Sequence, residues 1–255
     1  GLGYEDFDAD FLSMLIDGWA THAKEVWLPI NELGDRRGLS FQDGTITMPK
    51  EFKDAYRRGI DEGWLATSCK PEHGGMGVPT FFQAVTWAEF GTSACMSLSV
   101  LPALSLGMYD ILVSHGRQNL VDYFAANLAT GEWAGTMCLT EPHAGTDLGI
   151  ISTRAEPESD GSYRISGTKI FITYGEHDLS DNIVHLVLAK APGGPEGTKG
   201  ISLFLVPKYL PSDWKEGGLE GVSNELKPEH NGVTCSGTEE KMGLHASPTC
   251  VMNFD

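Results

Sequence analysis

Residues 7 to 33 carry Phe11, Leu15, Trp19, Ala23, Val26, Trp27 and Ile30 at helical spacing, behind Asp8 and Asp10 and ahead of Gly34. That pattern predicts an amphipathic helix with an acidic start and a glycine stop. A second helix is expected from Pro49, with Phe52, Tyr56 and Ile60 on one face, to Gly63. The stretch PEHGGMGVP, 71 to 79, reads as a loop by its glycines and prolines, and helices of about 79 to 92, 94 to 114 and 118 to 129 follow. The first 130 residues are thus expected to form an all-helical domain.

From Gly131 the period changes. WAGTMCL, STRAE, YRIS, TKIFIT, NIVHLVLAK, KGISLFLVP and GVTCS are short β-branched or aromatic runs separated by turn signals such as SDGS and APGGPEG. They predict antiparallel strands of a β-barrel or sandwich over residues 131 to 255, and so an α+β chain. No internal repeat or low-complexity tract occurs. The chain starts without Met and stops at VMNFD inside a strand-like run, so a piece of a larger protein is expected.

Composition narrows the function. Eighteen basic against thirty-five acidic residues give a formal charge of −17, which disfavours nucleic acid and anionic lipid as partners. A small phosphate-bearing ligand stays possible, because local N–H dipoles hold anions whatever the global sign. Five cysteines, odd in number and without a CxxC pair, read as reduced thiols of a cytoplasmic protein. Residues 94 to 113 are apolar-rich, but serines, Pro102, Gly107 and Asp110 interrupt them, so a buried helix is expected and no membrane span. No signal-peptide pattern opens the chain.

No GxGxxG follows a strand, and neither GxxxxGK[ST] nor GxSxG occurs. None of the eight histidines pairs at metal-ligand spacing, so no metal is expected. Glu141 has the chemistry of a general base, but before a proline at a strand end it reads as a turn carboxylate. Two stretches stand out. In GTMCLTEPHAGTDLG, 135 to 149, a strand ends in Thr140-Glu141-Pro142 and the chain reopens at Gly145-Thr146-Asp147, offering hydroxyls, N–H groups and two carboxylates to a polar ligand. In TKIFITYG, 168 to 175, Phe171 and Thr173 share a parity, so an aromatic plane and a hydroxyl face one way. That suits a flat heteroaromatic ring with polar edges; the plainer alternative makes Phe171 barrel core.

Together, MCLTEPHAGTD, GSYRISGTKIFIT, KGISLFLVPK and EEKMGLHASPT, in that order behind a helical half, resemble the N-terminal and middle domains of the acyl-CoA dehydrogenase family. EGW at 62 to 64 and PEHGGMG at 71 to 77 fit as well, and GEHDLSDNIVHLVLAK, 175 to 190, is most similar to an enlarged bacterial branch. The resemblance implies FAD as cofactor, with Met137, Leu139 and Thr140 along the flavin ring and Gly145 and Thr146 at its pyrophosphate. It also sets Phe171 against the ring and the Thr173 hydroxyl near flavin N5. Many relatives carry Trp where this chain has Phe171; the smaller ring keeps apolar contact but lacks the indole N–H.

The implied reaction is oxidation of an acyl-CoA to its 2,3-enoyl-CoA in a homo-oligomer, with an electron-transferring flavoprotein as acceptor and a short or medium acyl group, thioether-bearing ones included. In the family the catalytic glutamate and much of the FAD surface lie in a C-terminal helical domain absent from this chain, so no catalytic residue is expected here. An acyl-CoA oxidase or related flavoprotein, or a non-catalytic ligand-binding or assembly module, are the alternatives.

Overall fold

The computed structural model describes residues 7–211 and 226–255. Helix α1 (Ala9–His22) starts where Asp8 caps it, the carboxylate accepting from Phe11 N at 2.8 Å. A π-helical turn, Ala23–Trp27, leads into α2 (Leu28–Arg37). The helix does not stop at Gly34 but at Gly38, whose φ of 63° ends it. Gly34 serves packing instead: a Cβ there would lie 2.5 Å from Phe52 Cζ, so only glycine lets α2 approach α3 (Lys50–Asp61) this closely.

The N-terminal half is not wholly helical. Ser40–Gln42 (β1) and Thr45–Thr47 (β2) form a hairpin turned by Asp43 and Gly44, both at positive φ. The Asp-Gly pair between alternating residues is the local signal for it. Helix α4 (Thr80–Thr86), a π-helical segment (Trp87–Thr92) and α5 (Ser93–His115) run on from one another, with a kink where Cys95 leaves helical backbone angles. Helix α6 (Gln118–Thr130) ends at Gly131, at φ 88°.

Strands β3 (Trp133–Cys138), β4 (Arg154–Pro157), β5 (Tyr163–Thr173), β6 (Asn182–Lys190), β7 (Ile201–Pro207), β10 (Val233–Thr238) and β11 (Thr249–Phe254) make a seven-stranded sheet. A small separate pair, β8 (Tyr209–Pro211) and β9 (Leu226–His230), lies between β7 and β10 in the chain. The order is β10-β11-β5-β4-β6-β3, with β7 on the other edge of β6. The sheet is mixed, which corrects the antiparallel expectation: β3 runs parallel to β6 from Trp133↔Asn182 to Cys138↔Val187, and β4 meets β6 in parallel at Arg154↔Lys190. The cause is burial. Every residue from Asn182 to Val187 is buried, and such unbroken burial accompanies parallel pairing, whereas one-faced antiparallel strands alternate.

The helices and the sheet share their cores. Trp19, Trp27, Phe52, Tyr56, Leu98 and Leu101 belong to one cluster with Ala134, Val187 and Phe254; Met108, Tyr109, Tyr123 and Phe124 join Trp133, Val184 and Leu186 in the other. Helix α5 lies against β3, where a Cβ on Gly135 would come 2.8 Å from Met108 Sδ and Ser105 Oγ accepts from Gly135 N at 2.9 Å. The stretch Thr80–His115 has the length and mean hydropathy, 1.6, of a membrane span, but half of its most apolar window is buried inside the protein. Its buried residues include Ser97, Ser99, Ser105 and Pro102, as packing into a core dictates.

Candidate functional site

The two sequence stretches meet at the end of β3. Thr136 and Cys138 point inward and are buried, where Thr136 Oγ1 lies 2.7 Å from His185 Nδ1, while Met137 is half-buried on the other face. The ladder to β6 ends at Cys138, so Leu139 and Thr140 need another support. Strand β5 supplies it: Lys169 Nζ donates to Leu139 O at 3.0 Å, and Ile170 N to Thr140 O at 2.8 Å. Leu139 and Thr140 are both half-buried.

Directly after that junction β5 bulges. Its register with β11 jumps between Lys169↔Met252 and Ile172↔Cys250, and Phe171 takes φ 62°. A left-handed conformation at a bulky residue costs on the order of 1–3 kcal/mol and persists only when neighbours hold it. Here Tyr174, at φ 53°, is held by Pro248 O from its N–H at 2.8 Å and by Ser97 O from its hydroxyl at 2.6 Å. The bulge turns Phe171 outward. It is 56% exposed, on the face opposite buried Ile172 and Tyr174, and half-buried Thr173 shares that face. Phe171 is therefore not barrel core.

The loop after β3 closes as a tight turn, with Glu141 N donating to Ala144 O at 2.8 Å and Ala144 N to Glu141 O at 3.0 Å. Gly145, Thr146 and Asp147 follow on the surface, and a Cβ at Gly145 would sit 3.8 Å from Thr140 Cγ2, so the loop lies beside the strand end. The hydroxyls of Thr140, Thr146 and Thr173 make no hydrogen bond among the described residues, nor do the N–H groups of Gly145 and Thr146. An exposed aromatic face, an apolar strip of Met137 and Leu139, and free hydroxyl and N–H groups around them can hold a planar ligand with an anionic tail.

Glu141 is more than a turn carboxylate. Its side chain is 1% exposed and pairs with Lys169 Nζ at 2.9 Å. It also accepts from Ser152 N at 2.6 Å, Ser152 Oγ at 2.7 Å, Thr153 N at 3.0 Å and Thr153 Oγ1 at 2.6 Å. Burial alone would raise its pKa; the bonds from Thr153, Ser152 and Lys169 outweigh burial and bring it down to about 2. On Lys169 the balance is reversed: burial pulls the ammonium pKa down against the opposing pull of Glu141.

A carboxyl group depressed in the folded state stabilises the fold above its unfolded pKa and loses that contribution as pH falls through the folded one. The stability gap between the wild-type protein and Glu141→Gln is therefore expected to be constant above about pH 5 and to close between pH 4.5 and about 2. Urea unfolding across that range checks it, and a gap independent of pH would mean that the Glu141 charge contributes nothing.

A second buried pair, Glu176 with Lys208 at 2.6 Å, follows β5 in the chain; there burial pushes the carboxyl pKa up despite the lysine. Neither pair announces itself in sequence, since Glu141 and Lys169 stand 28 positions apart. All five cysteines are free and buried, and no group of three or more His, Cys, Asp or Glu side chains converges as metal ligands among the described residues.

Comparison with known proteins gives the architecture its relatives. Residues 41–132 match the family profile "Acyl-CoA dehydrogenase, N-terminal domain" and residues 136–255 the profile "Acyl-CoA dehydrogenase, middle domain". The 3-methylmercaptopropionyl-CoA dehydrogenase of Ruegeria pomeroyi is 42% identical over 252 residues, 99% of this chain and 41% of that protein. A butyryl-CoA dehydrogenase of Syntrophomonas wolfei is 34% identical over 257 residues, covering 99% of this chain and 39% of its own length. This chain thus spans no more than 41% of the length of either relative. The crystal structure of an acyl-CoA dehydrogenase complexed with FAD from Bacillus anthracis shares the fold, with a TM-score of 0.72 at 23% identity over 98% of this chain and 36% of that one. Two profiles in family order, over both the helical and the strand-rich part, place the chain in the acyl-CoA dehydrogenase family.

Proposed function

We propose that this chain forms the N-terminal part of an FAD-dependent acyl-CoA dehydrogenase and that Met137, Leu139, Thr140, Gly145, Thr146, Phe171 and Thr173 bind the cofactor. The observation that carries this is the β5 bulge, which holds a half-exposed aromatic side chain in left-handed backbone geometry next to the end of β3. The residues fit the group: Phe171, Met137 and Leu139 supply apolar contact for a ring, Thr140 and Thr173 hydroxyls for its edge, and the free N–H groups of Gly145 and Thr146 suit a pyrophosphate. FAD, when bound, supplies the hydride acceptor; the chain's own part is to orient and to keep water out.

The substrate is an acyl-CoA of short or medium chain, in keeping with the names of the two relatives. An electron-transferring flavoprotein takes the electrons from a homo-oligomeric, cytoplasmic enzyme whose five reduced thiols suit that compartment. The test is FAD uptake by the full-length protein, followed by turnover on an acyl-CoA length series. A yellow protein with its best turnover on short or medium chains supports the reading. A colourless protein, or a preference for long chains, overturns its cofactor or its substrate part respectively. Oxygen-driven turnover without another acceptor would place it among the oxidases.

The free hydroxyl of Thr173 is the group placed to donate to a ring edge as charge builds there. Thr173→Val, close in shape but without the hydroxyl, is expected to slow flavin reduction roughly ten- to a hundredfold, the scale of a hydrogen bond of about 1.5–3 kcal/mol to a charged group. Stopped-flow reduction at the wild-type rate would return Thr173 to an ordinary strand residue.

A further inference from the structure

Lys169 stands where an apolar side chain would fit at lower cost. Its side chain is 0% exposed, and its ammonium donates to Glu141 Oε1 and to Leu139 O. Taking two ions out of water costs more than their attraction returns unless nearly every hydrogen bond is filled, and apolar replacements of buried pairs are often neutral or stabilising. The Glu141 carboxylate has its bonds filled, yet an uncharged pair of the same volume can hold a fold as well, so stability alone does not require the ions.

Their position gives a reason. The strand pairing that would fix Leu139 and Thr140 has ended at Cys138. Two successive carbonyls past that end, Leu139 O and Thr140 O, are taken by two successive residues of β5, Lys169 through its side chain and Ile170 through its N–H. The next residue is Phe171, turned outward by the bulge. On its other side Glu141 is locked to Ser152 and Thr153, and Thr153 O in turn accepts from Lys190 N of β6 at 2.9 Å. Beside the Ile170 N–H bond, the ammonium is thus the side-chain joint that ties the end of β3 to β5 and, through Glu141 and Thr153, to β6.

We propose that Lys169 is a positioning residue for the flavin face: it clamps the Leu139–Thr140 edge against the Phe171 bulge, with Glu141 as its fixed counter-charge. This rests on the flavin reading above. An amine is the group suited to the task, because one nitrogen can donate at once to a carbonyl and to a carboxylate, whereas an apolar residue of equal length fills the space but leaves the Leu139 carbonyl without its donor and the strand end held by the Ile170 N–H alone.

The test uses the full-length protein carrying Lys169→Met and, separately, Lys169→Met with Glu141→Gln. The single variant strands a buried carboxylate and is expected to lose stability; the double variant removes both charges and is the decisive one. It is expected to fold, with FAD dissociation constant raised roughly tenfold, about one lost hydrogen bond's worth. The visible absorption band of its bound flavin should move toward that of free FAD. A folded double variant with wild-type affinity and wild-type band overturns the inference. A double variant that does not fold overturns it too, since the pair would then serve the fold itself. A wild-type protein that takes up no FAD is a different result, removing the flavin reading and this inference with it.

Discussion

Residues 1–255 supplied alone with FAD, an acyl-CoA and an artificial electron acceptor are expected to form no measurable enoyl-CoA. The proposed reaction takes an α-proton and a β-hydride from opposite sides of the acyl chain, so a carboxylate must stand across the substrate from the flavin face. Of the carboxylates near the proposed face, Glu141 is held in a buried ion pair and Asp147 accepts from Gly149 N at 2.9 Å in its own turn. The buried imidazoles His177 and His185, pulled down by burial to about 3, lie inside the protein. A positioned base is worth about 7–11 kcal/mol over one that diffuses in from solvent, so a stray carboxylate does not substitute. The relatives, of which this chain spans 41% and 39%, have the remaining length in which to carry that group. Enoyl-CoA formation, followed by chromatography, at a rate near that of the full-length protein would overturn this and place the base among the residues described.

The same experiment bears on the surface. Phe81 and Val85, one helical turn apart on α4, are both strongly exposed, which adds apolar surface through which copies of the chain can meet. A 255-residue chain is accordingly expected to bind FAD more weakly than the full-length protein and to self-associate.

What could be read beforehand divides along physical lines. Helical periodicity from Phe11 to Ile30 and from Phe52 to Ile60 is local, and those helices are present. Gly34 was misleading, because a glycine that ends a helix and one that admits a neighbouring ring look alike until Phe52 is in place. The Asp43-Gly44 hairpin carried its signal in plain view. Parallel pairing of β3 with β6 was not legible from turn residues, and the one pointer to it in β6 is a mostly apolar run, Ile183 to Ala189, that does not alternate.

At the site, parity placed Phe171 and Thr173 together, but Lys169 has that same parity and faces the opposite way. A bulge lies between them, and bulges are set by the partner strand, here by the step between Met252 and Cys250. The Glu141–Lys169 pair is legible only in three dimensions. Sequence analysis therefore reached the residues of the proposed face and missed the buried ion pair beneath them.

Trp27→Ala is expected to be among the most destabilising substitutions in the protein, at about 3–5 kcal/mol, the range for deleting a buried indole. Trp27 is 0% exposed and its ring packs edge-on against Trp19 at 5.2 Å and Trp87 at 5.4 Å between centroids. The π-helical turn Ala23–Trp27 aims it there, since the wider turn rotates residue 27 relative to the face that α1 buries with Leu15 and Trp19. Alanine would leave a void ringed by Trp19, Trp87 and His22, large rigid rings that cannot relax into it. The indole also carries a cost of its own, because its Nε1 is buried without a hydrogen-bond partner among the described residues. An unpaired buried donor costs about 1–3 kcal/mol, so Trp27→Phe, which keeps most of the ring and removes the donor, is expected to lose less than half of what Trp27→Ala loses. Urea unfolding of the two variants beside the wild-type protein measures both. Equal losses would mean that the indole N–H has a partner after all and that the aromatic cluster depends on the full width of the ring.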